Sequence, residues 1–144
     1  MPTVQTILEK KGPEVATVRT DSMVLDAAKL MNAKRIGAVV VTNGERVVGI
    51  FTERDVLIRV VAAHRPPETT RVEEVMTSPM ACCRRDTKLL ECKTIMTQKR
   101  IRHLPVVEEG KLYGMIAAGD ILASECEDQQ STIQYLQEYL YGHR

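Results

Sequence analysis

Tryptophan is absent from this 144-residue chain, phenylalanine occurs once and tyrosine four times. Any core must therefore be aliphatic, built from valine, leucine, isoleucine and methionine. Neither sign of charge dominates: 20 lysines and arginines face 19 acids, for a formal net charge of +1. That balance gives no basis for a non-specific nucleic-acid or membrane surface. No apolar run approaches the roughly 18 residues that a bilayer-spanning helix needs. The opening MPTVQTILEKKG holds charges and only a short apolar run, so it is not read as a secretion signal. A soluble, cytoplasmic protein is expected, sized for one compact domain or two small halves.

Metal-ligand spacing is also missing. Cys82, Cys83, Cys92 and Cys126 make no C-x-x-C pair, and the three histidines are scattered at positions 64, 103 and 143. Cys92 shares a helical apolar face with Leu89 and Met96 and reads as a small buried hydrophobe. Adjacent Cys82 and Cys83 would point to opposite faces of a strand. Reduced structural thiols are the plain reading, and a thiol oxidoreductase built on this pair is the catalytic alternative. Without a nucleophile–base pair, a metal cluster or a glycine-rich phosphate loop, an enzyme is not expected.

What the chain does contain, it contains twice. An offset of 65 residues aligns positions 19–57 with 84–122 without a gap. Arg19, Asp21, Leu25, Met31, Lys34, Arg35, Ile36, Val41, Gly49, Asp55 and Leu57 then meet identical residues, where coincidence would give about two or three. Each copy opens with candidate helix caps, Asp21-Ser22 and Asp86-Thr87. In the first, Val24, Ala27, Ala28 and Met31 follow at helical spacing. The β-branched run IGAVVV, the hairpin signal Asn43-Gly44 and the returning strand RVVGIF come next, and then TERDVLIRVVAA resumes helical spacing. The second copy repeats the order with LPVV, EEGK, LYGMI and AAGDILASE. Each unit is thus β-α-β-β-α, too small to be comfortable alone, so the two should pack together. The expected division is 1–65 for repeat 1, 66–71 for a linker containing Pro66-Pro67, 72–124 for repeat 2 and 125–144 for a C-terminal amphipathic helix. That helix would carry a stripe of Ile133, Leu136 and Leu140 beside Tyr135 and Tyr139, against its own core or a second chain.

The motifs GIFTERD and GMIAAGD, the segments KRIGAVVV and KRIRHLPVV, and the duplication itself resemble the cystathionine-β-synthase (CBS) domain. The tandem resembles a Bateman module over nearly all of residues 1–124. The resemblance implies an α+β fold, two pseudo-symmetric repeats packed as one module. It implies regulation rather than catalysis, through clefts that bind adenosyl compounds: AMP foremost, with ADP, ATP, NAD(H) or S-adenosylmethionine possible. It also implies a homodimer and an action on a protein target not identifiable from sequence.

Thr52 and Asp55 admit two readings that share one geometry. As a capping-box-like pair they satisfy helix amides. As a ligand site, Asp55 accepts ribose hydroxyls while the helix start and Thr52 face phosphate. The second copy keeps Asp120 but has Ala117 in place of the threonine. By resemblance each cleft is shared between repeats. Thr52, Arg54 and Asp55 would face Ala81, Ile101, Arg102 and His103, with adenine between Ala81 and Ile101 and phosphate on Arg102, His103 and Arg54. The weaker cleft would join Asp120 to Ala16, Ile36, Gly37 and Ala38. The competing function is a structural dimerisation scaffold with vestigial sites.

Overall fold

Val39, Val40 and Val41 are all completely buried, so this strand has both faces covered. The computed structural model, which describes residues 2–127, explains why. Chain order runs α1 (Val4–Lys11), β1 (Thr17–Arg19), α2 (Val24–Lys34), β2 (Ala38–Thr42), β3 (Val47–Thr52) and α3 (Glu53–Asp55), which leads into a π-helical segment (Val56–Val61). It continues with α4 (Val72–Val75), α5 (Leu89–Lys99), β4 (His103–Glu108), β5 (Lys111–Ala117) and α6 (Ala118–Glu127). Strand β1 pairs parallel with β2, and β2 antiparallel with β3; β4 and β5 form an antiparallel pair. One face of β2, Val39 and Val41, packs with Phe51 under α2, the π segment and α4. Its other face, Ala38 and Val40, meets Ile50 and Met115 between the two repeats.

The duplication appears as a mixed α+β pair of repeats, with departures that have physical causes. The first strand of repeat 2 shrinks to one parallel bridge, Cys83 to Val106. There the chain is pinned instead by Arg85, which donates from its backbone N and from Nε and Nη2 to the Glu108 carboxylate, each at 2.9 Å. Asp21-Ser22 and Asp86-Thr87 do not cap helices. The hydroxyls of Ser22 and Thr87 accept from the backbone N–H groups of Arg19 and Arg84, which closes the preceding turn. The helix-start amides are taken by carbonyls from elsewhere: Val24 N–H by Thr70, Leu25 N–H by Pro67 and Leu89 N–H by Pro2. Helical spacing after Asp55 is also widened. Ala62 and Arg65 donate five residues back, to Leu57 and Val60, placing Val60 in the core and Leu57, Ile58 and Val61 outside.

Packing crosses the divisions drawn from chain order. Val72 and Val75 of α4 belong to the core of repeat 1. Val4, Ile7 and Leu8 of α1 belong to the core of repeat 2, fastened by Val4 N–H to Thr87 O and Gln5 N–H to Arg85 O. The glycines of GIF and GMI make room for these helices. A Cβ on Gly49 would lie 2.7 Å from Met76 Sδ and 2.9 Å from the Thr77 carbonyl oxygen, and one on Gly114 would lie 2.5 Å from Leu8 Cδ2. The C-terminal helix expected at 125–144 falls mostly outside the described residues.

Because Thr77 O belongs to the backbone and cannot swing aside, Gly49→Ala should lower stability by roughly 1–3 kcal/mol. Gly119, in α6 with open space around its Cα, provides the contrast. There alanine should be neutral or raise stability by up to about 1 kcal/mol. Urea midpoints at unchanged m-value measure both.

Candidate functional site

At the end of β3 the chain enters α3 with Thr52 extended, at φ −123° and ψ 168°. The capping box forms in full. Asp55 N–H donates to Thr52 Oγ1 at 3.3 Å, and Asp55 Oδ2 accepts from Thr52 N–H at 3.0 Å. The Thr52 hydroxyl itself also lies 3.2 Å from Oδ2. The other carboxylate oxygen, Oδ1, accepts from the Thr77 hydroxyl at 3.0 Å, with Arg59 Nε 3.7 Å away. Asp55 is only 6% exposed, and this set of donors is what allows a charged group there. Two of the three amides at the helix start are taken, Glu53 N–H by Gly37 O and Asp55 N–H by Thr52 Oγ1. Side chains supply the formal positive charge that an anion would meet there.

Those side chains surround a cavity of about 710 Å³ between the repeats, within the roughly 300–1,000 Å³ usual for small-molecule sites. Thr52, Arg54, Asp55, Ala81, Ile101, Arg102 and His103 all line it, from both copies. Sequence reasoning missed Thr77, Lys99 and Arg100, which line it too. Arg100 ends α5 in the left-handed region, at φ 55°. Its counterpart Arg35 ends α2 at φ 53°, a symmetry that could have marked the position. Four cations, Arg54, Lys99, Arg100 and Arg102, thus face two acids, Glu53 and Asp55. His103 is half-buried, and burial first, then the Arg102 charge, push its imidazole below the ordinary value. It is neutral at pH 7.

The five residues of the weaker cleft are divided among several surroundings. Gly37 lines the 710 Å³ cavity. A Cβ there would meet Glu53 Oε2 and His103 Cε1, both at 3.3 Å. Ile36 lies in a separate hollow with Arg35, Glu53 and Val56. Ala38 is buried between the repeats, and Ala16 packs against the core of repeat 1. Asp120 accepts from Ala117 N–H, half of a capping box, and from Lys11 Nζ, both at 2.8 Å. Cys82 is exposed and Cys83 buried; the contact with Cys92 first, and then burial, push the Cys83 thiol upward, the opposite of an activated thiolate. Among the described residues no group of three histidine, cysteine or acidic side chains could hold a metal ion, and no helix is long and apolar enough to cross a membrane.

The family profile of the CBS domain matches this chain at residues 11–62 and 72–126. The mitochondrial CBS domain-containing protein CBSX3 of Arabidopsis thaliana is 32% identical over 97% of this chain and 72% of its own length. A solved structure of a CBS-domain protein from Burkholderia ambifaria, described as a candidate for signal transduction, is 43% identical. It has a TM-score of 0.85 and matches over 89% of this chain and 96% of that one. The hexameric CBS-CP12 protein of bloom-forming cyanobacteria is 28% identical, with a TM-score of 0.75 over 98% and 86% of the two chains. The chain belongs to the CBS-domain family, as a tandem pair.

The displaced imidazole gives a pH prediction. His103 binds fewer protons folded than unfolded below its ordinary value of about 6.5. Its contribution is therefore present above that pH and lost as pH falls toward the lower folded value. Between pH 7.5 and 5 the urea midpoint of His103→Gln should fall less than that of the parent.

Proposed function

We propose that this CBS pair is a regulatory module that senses an adenosyl nucleotide and acts through its own assembly or a protein target. The observation that carries the reading is the cavity shared by both repeats, which places a buried carboxylate and four cations on one space. The Asp55 carboxylate offers about four acceptor positions, of which three carry close contacts. One remains for a ribose hydroxyl, and a second opens when the Thr77 hydroxyl rotates away. Ala81 and Ile101 supply apolar walls for adenine. Arg54, Lys99, Arg100 and Arg102 favour a phosphorylated ligand such as AMP, ADP, ATP or NAD(H). S-adenosylmethionine, which brings a sulfonium cation, suits them less.

AMP titration by calorimetry tests this reading. Asp55→Asn presents an NH2 where a hydroxyl needs an acceptor, and hydrogen bonds to a charged partner contribute roughly 1.5–3 kcal/mol, so affinity should fall about ten- to a hundredfold. Asp55 also holds the start of α3, so Arg102→Gln is the cleaner arm. Arg102 is exposed, and its loss should weaken AMP about tenfold while leaving the unfolding midpoint in place. A parent protein that binds none of AMP, ADP, ATP or NAD(H) would overturn the sensor reading and leave the dimerisation scaffold.

A homodimer is part of the same proposal. Leu57 and Leu122, identical residues at equivalent positions of the two repeats, are 62% and 54% exposed, and Ile58, Val61 and Leu90 are exposed as well. Large apolar groups left outside on helices suit a helix-to-helix contact between copies. The hexameric CBS-CP12 neighbour shows that a related chain assembles. Sedimentation should give twice the chain mass of 16.2 kDa, and Leu57→Glu with Leu122→Glu should shift the population toward monomer.

A further inference from the structure

The two acids of the cavity are held differently. Asp55 accepts hydrogen bonds on both carboxylate oxygens and has Arg59 beside it. Glu53 joins no salt bridge among the described residues, and neither do Arg54, Lys99, Arg100 and Arg102. Its backbone is fixed, with Glu53 N–H on Gly37 O at 3.0 Å. Its side chain lies over the bare face of Gly37, where a Cβ would stand 3.3 Å from Glu53 Cδ and Oε2 and 3.3 Å from His103 Cε1. Carboxylate and imidazole, from different repeats, therefore share that position. Glu53 also borders the hollow that holds Arg35, yet the two form no ion pair. Nor does the repeat require an acid here, because the equivalent residue of the second copy is Ala118. A glutamate in a first helical turn suits the helix dipole, but that role does not call for a carboxylate placed beside a histidine of the other repeat.

We propose that Glu53 determines which nucleotides the cavity accepts, as a negative charge at its phosphate end that selects a monophosphate such as AMP over ATP. This rests on the reading of the cavity as an adenosyl-nucleotide site with phosphate toward Arg102 and His103. Four cations facing two acids leave a small positive excess. AMP carries about two negative charges at neutral pH, and each further phosphate adds about one. The cations can meet the single phosphate of AMP. The outer phosphates of ATP would shed water with few cations left to receive them, beside a carboxylate that repels them. Between unit charges about 4 Å apart, that repulsion amounts to about fivefold in affinity even at the dielectric of water.

Calorimetric titration with AMP and with ATP, in chelator to remove divalent cations, decides the matter for the full chain, Glu53→Gln and Glu53→Ala. Unfolding midpoints are measured beside it. The parent should bind AMP more tightly than ATP. In both variants the ratio of AMP to ATP affinity should fall about fivefold or more at low ionic strength. That difference should shrink toward molar salt, where screening acts within about 3 Å. An unchanged ratio in folded variants overturns the inference and leaves the nucleotide site standing. So does a loss of AMP affinity in Glu53→Gln, which would make Glu53 a contact of the ligand instead of a repelling charge. A parent that prefers ATP overturns it as well. A parent that binds neither nucleotide overturns both the inference and the reading beneath it.

Discussion

Neither repeat closes without a short helix that chain order assigns elsewhere. Residues 67–76 seal repeat 1, with carbonyls of Pro67 and Thr70 on the first amides of α2 and with Val72 and Val75 in its core. Residues 2–11 do the same for repeat 2, from the opposite end of the chain, with Pro2 O on Leu89 and Val4, Ile7 and Leu8 in the core. Each approach is close: a Cβ on Gly49 would meet the Thr77 carbonyl, and one on Gly114 would force the Leu8 side chain to shift. The segment from α1 to β1 must therefore bridge the two repeats, which ties them together beside the cavity between them.

One contrast between the two aspartate turns follows from how those helices end. Where α4 stops short, a backbone pair and a hydroxyl reach β3 and Asp55. Where α1 runs on, the same strand position and the equivalent carboxylate are left to a lysine. The substitutions at Gly37 and Arg102 reinforce the difference. Arg102 adds charge to the first cavity, while the bare Gly37 lets Glu53 and His103 come together beside it.

The duplication, both hairpins and the buried faces of α2 and α5 were legible because they are written in local spacing. Asn43 Oδ1 accepts from the amides of Glu45 and Arg46 as its turn signal implies, and Leu89, Cys92 and Met96 are buried as their period requires. Seven residues expected around one cleft do line one cavity. Misplaced features depend on distant partners. Ser22 and Thr87 lost the capping role to carbonyls more than forty residues away in sequence or at the other end of the chain. Thr77 lies outside the aligned copies, so no comparison of repeats marks it. Lys11, on a charged helix end, reads as solvated until β5 and Asp120 are placed beside it. Lys99 and Arg100 were visible in the repeat but carry no signal that they open onto a shared space.

In the proposed reading, the ligand acts through an interface that is already half apolar and half polar. Ala38, Val40, Ile50 and Met115 join the repeats without direction, and such a contact tolerates small changes of angle. The polar side of the same junction is directional. Thr52 and Asp55 belong to repeat 1, Ile101 through His103 to repeat 2, and Thr77 ties α4 to both β3 and Asp55. A nucleotide held at its ribose by one repeat and at its phosphate by the other would select the angles that satisfy both ends. The shift it can impose is bounded by its difference in affinity between arrangements, not by how tightly it binds. Cations on both repeats are therefore more telling than their number. A cluster on one repeat would raise affinity alone, whereas Arg54 opposite Lys99, Arg100 and Arg102 makes affinity depend on how the repeats sit.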